Sequence, residues 1–143
     1  MAQDIINRHW VCESTKLLAT YGGAHIYNVQ MPEDLDNGTL LQLGDYVADE
    51  YYMGEAVADQ GAVLVLNPPL CPNTLLKDYA SEDRYYNEKE AIVRCYSLTP
   101  RDRFTISAEA FEGEPAIGKF VSWDASAKMY VVADAAGESG FVG

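Results

Sequence analysis

Few residues in this chain could do chemistry, so they are the place to begin. Its only histidines are His9 and His25, and its only thiols are Cys12, Cys71 and Cys95. No Cys-x-x-Cys or His-x-x-x-His spacing links them, so the ligand pairs of a zinc centre are missing from the sequence. Asp34-Leu35-Asp36-Asn37-Gly38 has the outline of a calcium loop. An EF-hand loop wants glycine at its sixth position and a bidentate glutamate at its twelfth. Counted from Asp34, glycine comes one position early and Asp45 stands where the glutamate belongs. A turn is the better reading. Asn37-Gly38-Thr39 is formally a glycosylation sequon, and without a secretory signal it too reads as a turn.

Nucleophile and phosphate chemistry find no better support. Gly137-Glu138-Ser139-Gly140 lacks the spacing of the Gly-x-Ser-x-Gly elbow. Gly22-Gly23 precedes a strand pattern rather than a helix, so it offers no helix amides to a phosphate. The 22 carboxylates include no two whose surroundings mark them as an acid and a base. No cofactor motif occurs. The expectation is a protein that is not an enzyme.

The elements that would position these residues read as strands. Asn37-Gly38 suits a type I′ hairpin turn, with Thr39 to Leu43 as the strand after it and Gly44-Asp45 as the next turn. Ala24 to Met31 alternates. Asp49 to Ala58 reads as a strand because Tyr51-Tyr52 and Gly54 argue against a helix. Ala62 to Leu66 is apolar on both faces and reads as a buried strand. Ala91 to Leu98 is a strand, and Phe104 to Ala110 alternates strictly. Gly118 to Trp123 and Met129 to Ala133 form a hairpin across Asp124 to Ala127. Gly140 to Gly143 reads as the opening of a further strand, which the native protein is expected to continue.

Turn signals every eight to fifteen residues or so, without helical periodicity, predict an all-β fold, a small barrel or sandwich of short antiparallel strands. Residues 1–20 are weakly patterned and read as an extended N-terminal arm or a first strand. Residues 21–143 read as one β domain. A long irregular loop is expected over 67–90, where Asn73 could cap a short helix from Thr74 to Tyr79.

Charge narrows the partners. The net charge is −12, and no Lys or Arg lies between Lys16 and Lys77. Nucleic-acid binding needs a basic footprint, so it is not expected. No apolar stretch is long enough to span a membrane, and the opening Met-Ala-Gln-Asp lacks a signal peptide's basic and apolar regions. The odd, unspaced cysteines read as reduced, buried thiols of a protein made in a cytoplasm. Arg84-Tyr85-Tyr86 mixes a cation with aromatics, as protein interfaces do.

Several segments in order resemble a known family. They are Asp36-Asn37-Gly38-Thr39 to Gly44-Asp45, Tyr86-Asn87-Glu88-Lys89 to Arg94-Cys95-Tyr96-Ser97-Leu98, Asp102 to Ala110, and Gly118-Lys119-Phe120-Val121-Ser122-Trp123. Their order and spacing, over roughly Asn7 to Val142, resemble the small head proteins that decorate or cement the capsids of tailed bacteriophages and prophages. The chain departs from that pattern at Thr99-Pro100-Arg101-Asp102, where a Gly-Asp turn is expected before Phe104. The resemblance implies a non-enzymatic virion protein, made in the host cytoplasm and bound to the outer face of the major capsid protein shell. It also implies a homo-oligomer, with a trimer favoured, and no catalytic residues or cofactor. For contact with the capsid or a second copy the chain offers Trp10, Leu17, Leu18, Tyr79, Arg84, Tyr85 and Tyr86. Other readings are a head–tail connector or tail protein, or a carbohydrate-binding β module.

Overall fold

A computed structural model describes residues 9–21, 26–56, 63–68, 82–137 and 142–143. Ten strands follow in chain order: β1 (Cys12–Lys16), β2 (Ile26–Gln30), β3 (Leu40–Val47), β4 (Tyr51–Glu55), β5 (Val63–Val65), β6 (Ile92–Ser97), β7 (Arg103–Ile106), β8 (Phe111–Glu112), β9 (Phe120–Asp124) and β10 (Met129–Ala133). Three short 3₁₀ turns are the helical structure among the described residues. None of this is a helix long and apolar enough to cross a membrane.

The fold is all-β. Five strands close a barrel in the order β2-β4-β3-β5-β6. Its neighbours are antiparallel except for β2 and β4. Two smaller sheets stand beside it, the pair β1-β7 and the three-stranded β8-β10-β9. The alternation of each strand decides what it buries. Val29, Leu41, Val63, Val65, Val93 and Cys95 fill the barrel with Met31 and Leu35. Leu40 and Leu64 leave the barrel wall on its other side and join Cys12, Leu17, Ala110, Trp123 and Tyr130 in a second core. This explains why β5 is buried at all three residues. One face lines the barrel and the other is covered by the added sheets. Each fully buried Leu or Val contributes about 1.5–3 kcal/mol relative to exposure.

Both predicted turns near the start of β3 are corrected. A type I′ turn needs positive φ at both central residues. At Asn37-Gly38 only Gly38 has it, at 95°. Thr39 donates its N–H to the Asp36 carbonyl at 3.3 Å, so residues 36–39 have the pattern of a type II turn. It leads from an isolated bridge between Leu35 and Asn87 into β3, and does not join two paired strands as a hairpin would. The hairpin turn lies further on. Ala48 and Asp49 both have positive φ, 54° and 56°, and Glu50 N–H donates to the Val47 carbonyl. Gly44-Asp45 is no turn but the site of a register shift inside β3. A Cβ on Gly44 would stand 2.9 Å from the Met53 carbonyl, so the two strands approach too closely there for a side chain.

The strictly alternating segment Phe104 to Ala110 is also shorter than expected. β7 stops at Ile106, opposite Cys12, where its partner β1 begins. Ser107 then accepts the Val11 N–H on its hydroxyl, and a 3₁₀ turn over Ala108–Ala110 carries Ala110 into the second core. The strand readings that cover β2, β4, β5, β6, β9 and β10 hold over their described residues, including the β9–β10 hairpin, while Gly140 and Phe141 of the last expected strand lie outside the described residues. Asp124 caps its turn by accepting N–H bonds from Ser126 and Ala127 and the Ser126 hydroxyl, which hold its carboxyl below the usual carboxylate range. The part of residues 1–20 that is described from Cys12 to Lys16 is a strand paired with β7. Val142 bridges Ser122. The expected helix over Thr74 to Tyr79 lies outside the described residues.

Candidate functional site

The turn at residues 36–39 is a polar hub rather than an exposed corner. Asn37 is 5% exposed and Asn87 2%. The Asn37 amide donates to the Asn67 carbonyl at 2.9 Å, and its oxygen accepts the Asn67 N–H at 3.0 Å. That oxygen also accepts from Asn87 Nδ2, which donates to the Leu35 carbonyl as well. The Tyr85 hydroxyl closes the network, donating to Asn87 Oδ1 and accepting from Asn67 Nδ2. Such groups are tolerated in an interior because their hydrogen-bonding capacity is met. Asparagine suits the position, since one amide offers both a donor and an acceptor.

The same turn anchors the N-terminal segment. Asp36 accepts the Trp10 N–H at 3.2 Å and faces His9 Nδ1 at 2.5 Å. The His9 ring stacks on Tyr86 with centroids 4.9 Å apart, and the His9 N–H donates to the Asp83 carbonyl. Gly38 completes the hub, its carbonyl accepting the Tyr130 hydroxyl at 2.5 Å. Trp10 packs on the second core beside Trp123 and Tyr130.

The proposed contact residues therefore separate. Trp10, Tyr85 and Tyr86 gather around the hub, with Arg84 ending the adjoining 3₁₀ turn. They are part-buried and engaged within the chain. Leu17 is a core residue at 1% exposure, and so lies beneath the surface of this chain. Leu18 is 58% exposed and stands with Tyr21, 63% exposed, in one 3₁₀ turn closed by a bond from Tyr21 N–H to the Leu18 carbonyl. Tyr79 lies outside the described residues, as do His25 and Cys71. Sequence reasoning missed Tyr21, the His9–Asp36 pair and the roles of Asn67 and Asn87. The partners of each pair lie far apart in the chain, and only folding brings them together.

A cleft of about 380 Å³ opens between β1 and the end of β5, lined by Trp10, Cys12, Ser14, Leu66, Asn67 and Tyr96 among others. Its thiol is inert. Burial, with the neighbouring Glu13 charge, pushes the Cys12 thiol up to about 12, so it holds its proton at neutral pH. Cys95 is raised to about 12 by burial alone. No group of three or more His, Cys, Asp or Glu side chains placed to hold a metal occurs among the described residues. The carboxylates of the calcium-like segment go to separate partners: Asp34 accepts the Lys89 N–H, and Asp36 holds His9 and Trp10. Compared with family models, curated proteins and solved structures, the chain matches none of them.

Proposed function

We propose that this protein is a structural component of a phage head that binds the outer face of the major capsid protein shell and cements its capsomers as a homo-oligomer, a trimer being favoured. The observation that supports this reading is the Leu18–Tyr21 turn. Two large apolar side chains, 58% and 63% exposed, stand three residues apart on one hydrogen-bonded turn. Paired exposed apolar groups of this kind mark docking surfaces, and Tyr is favoured at binding hot spots. Asp102 steadies the turn by accepting the Leu18 N–H at 3.0 Å.

The test is to mix the purified protein with expanded empty heads of its phage, sediment them and count bound copies. Hundreds of copies per head, with heads that resist heating better, are expected. A dozen copies or fewer would assign the protein to a connector or tail. No co-sedimentation would end the proposal. The double variant Leu18→Ser, Tyr21→Ser should fold normally and lose most of its occupancy.

A further inference from the structure

The connection between β8 and β9 is an exposed projection. Every residue from Glu112 to Phe120 is exposed. At its tip Ile117 has its full surface in water, with a relative exposure of 107%, and Phe120 beside it is 40% exposed. The tip is a defined turn: Lys119 N–H donates to the Ala116 carbonyl at 3.2 Å, and Gly118 takes φ 88°. Gly118 makes the corner possible because positive φ is open to glycine without penalty. Ile117 is thereby displayed outward, on the same exposed connection as Glu112 and Glu114.

A complementary feature lies elsewhere on the same chain. An open groove of about 740 Å³ runs between β7 and β9, with Leu98, Phe104, Ile106 and Val121 among its apolar lining. Arg101 and Arg103 line it too, both exposed, and among the described residues neither has an ion pair. Arg101 is held there against its backbone preference. It sits at φ 75° in a turn where Asp102 N–H donates to the Thr99 carbonyl, a position that favours glycine. Asp102 locks that turn by accepting the Thr99 N–H and hydroxyl.

We infer that the Ile117 turn of one copy seats in the β7–β9 groove of a second copy, with Glu112 and Glu114 facing Arg101 and Arg103. The two surfaces match in polarity and, with Lys119 paired to Asp134 and Asp102 taken up by Leu18 and Thr99, in the sign of their remaining charges. They are different patches, so the contact is heterologous and generates a ring where the rotation closes. This inference stands on the two surfaces alone, independently of binding to a capsid.

The experiment is sedimentation equilibrium of the purified chain across the micromolar range. Wild type is expected to self-associate, and Ile117→Ser should weaken that about 30-fold, as removing one well-buried apolar side chain from an interface does. Because Ile117 makes no internal packing, its unfolding midpoint should match wild type. The pairs Arg101→Glu, Arg103→Glu and Glu112→Lys, Glu114→Lys should each abolish association, and mixing the two variants should restore it. A wild type that stays monomeric, an Ile117→Ser variant that associates like wild type, or variants that fail to rescue each other would each overturn the inference. No phage particle is involved, so failure here removes self-association in solution and leaves capsid binding standing, and loss of capsid binding leaves this contact standing.

Discussion

The barrel interior and the core around Tyr130 are built from different side chains. The barrel is filled by Val, Leu, Met and Cys, with no aromatic residue among its fully buried members. The second core is aromatic: Trp10, Phe104, Phe111 and Trp123 surround Tyr130 at centroid distances of 4.9 to 6.3 Å. Short strands closing a narrow barrel leave room for branched aliphatic chains. The second core lies where the barrel wall, the β1-β7 pair and the β8-β10-β9 sheet contribute side chains, and rings fill it. The cores also differ in chemistry. Tyr130 carries a polar atom into its core and discharges it on the Gly38 carbonyl, so the aromatic core is bonded to the hub of the barrel. Burial, with a contribution from Cys12, pushes that phenol well above its usual range, and it stays a neutral donor.

The sharpest way to break this contrast is Tyr130→Ala. It removes the largest fully buried side chain and strands the Gly38 carbonyl, and should cost about 4 kcal/mol in denaturant unfolding. Tyr130→Phe keeps the ring and should cost about 1–2 kcal/mol, which isolates the hydrogen bond. Leu41→Ala, a barrel residue at 0% exposure, loses packing alone and should cost about 3 kcal/mol. If Tyr130→Phe were neutral, the two cores would differ in shape only.

Two glycines with nearly the same φ sharpen the comparison further. Gly38 stands at 95° and Gly118 at 88°. A Cβ on Gly38 would collide with the Ile106 side chain and stand 3.3 Å from Cys12 Cβ, whereas one on Gly118 meets nothing within 4 Å. Gly118→Ala should therefore cost only the backbone penalty, about 1 kcal/mol, and Gly38→Ala clearly more. Equal losses in thermal unfolding would show that the hub is not tightly packed against β7.

The smallest expected effect at neutral pH belongs to the thiols, one in each core. Cys12 and Cys95 have folded values near 12 against an ordinary 9.0. Between those values the unfolded chain has lost its protons while the folded chain keeps them. Stability should thus be unaffected below about pH 9 and fall as pH rises toward 12. Melting temperatures from pH 7 to 11 check this, and substituting both cysteines by Ala should remove the decline between about pH 9 and 10, leaving above it the loss due to Tyr130.

Much of this was legible in the residues. Strand positions follow from alternation, and the continuous apolar run at Val63–Val65 announces burial on both faces. Turn chemistry was less readable. Asn-Gly advertises a hairpin, yet the hairpin formed at Ala48-Asp49, because the Asn37 side chain is held by Asn67 and Asn87, thirty and fifty residues away. The exposed Leu18–Tyr21 pair is half visible: Leu17 and Leu18 read alike in the sequence, and only the 3₁₀ turn that opens at Leu18 decides which of the two adjacent leucines turns inward.

By itself the sequence determined the β architecture, the acidic charge and the lack of spaced metal ligands, since these depend on period, composition and spacing. Tertiary structure decided barrel over sandwich, gathered the rings around Tyr130, and converted Asn37-Gly38 from a surface turn into a buried hub. It also placed the Ile117 projection and the arginine-lined groove on one chain. Those outcomes depend on contacts between residues distant in sequence, and local propensity carries no record of them.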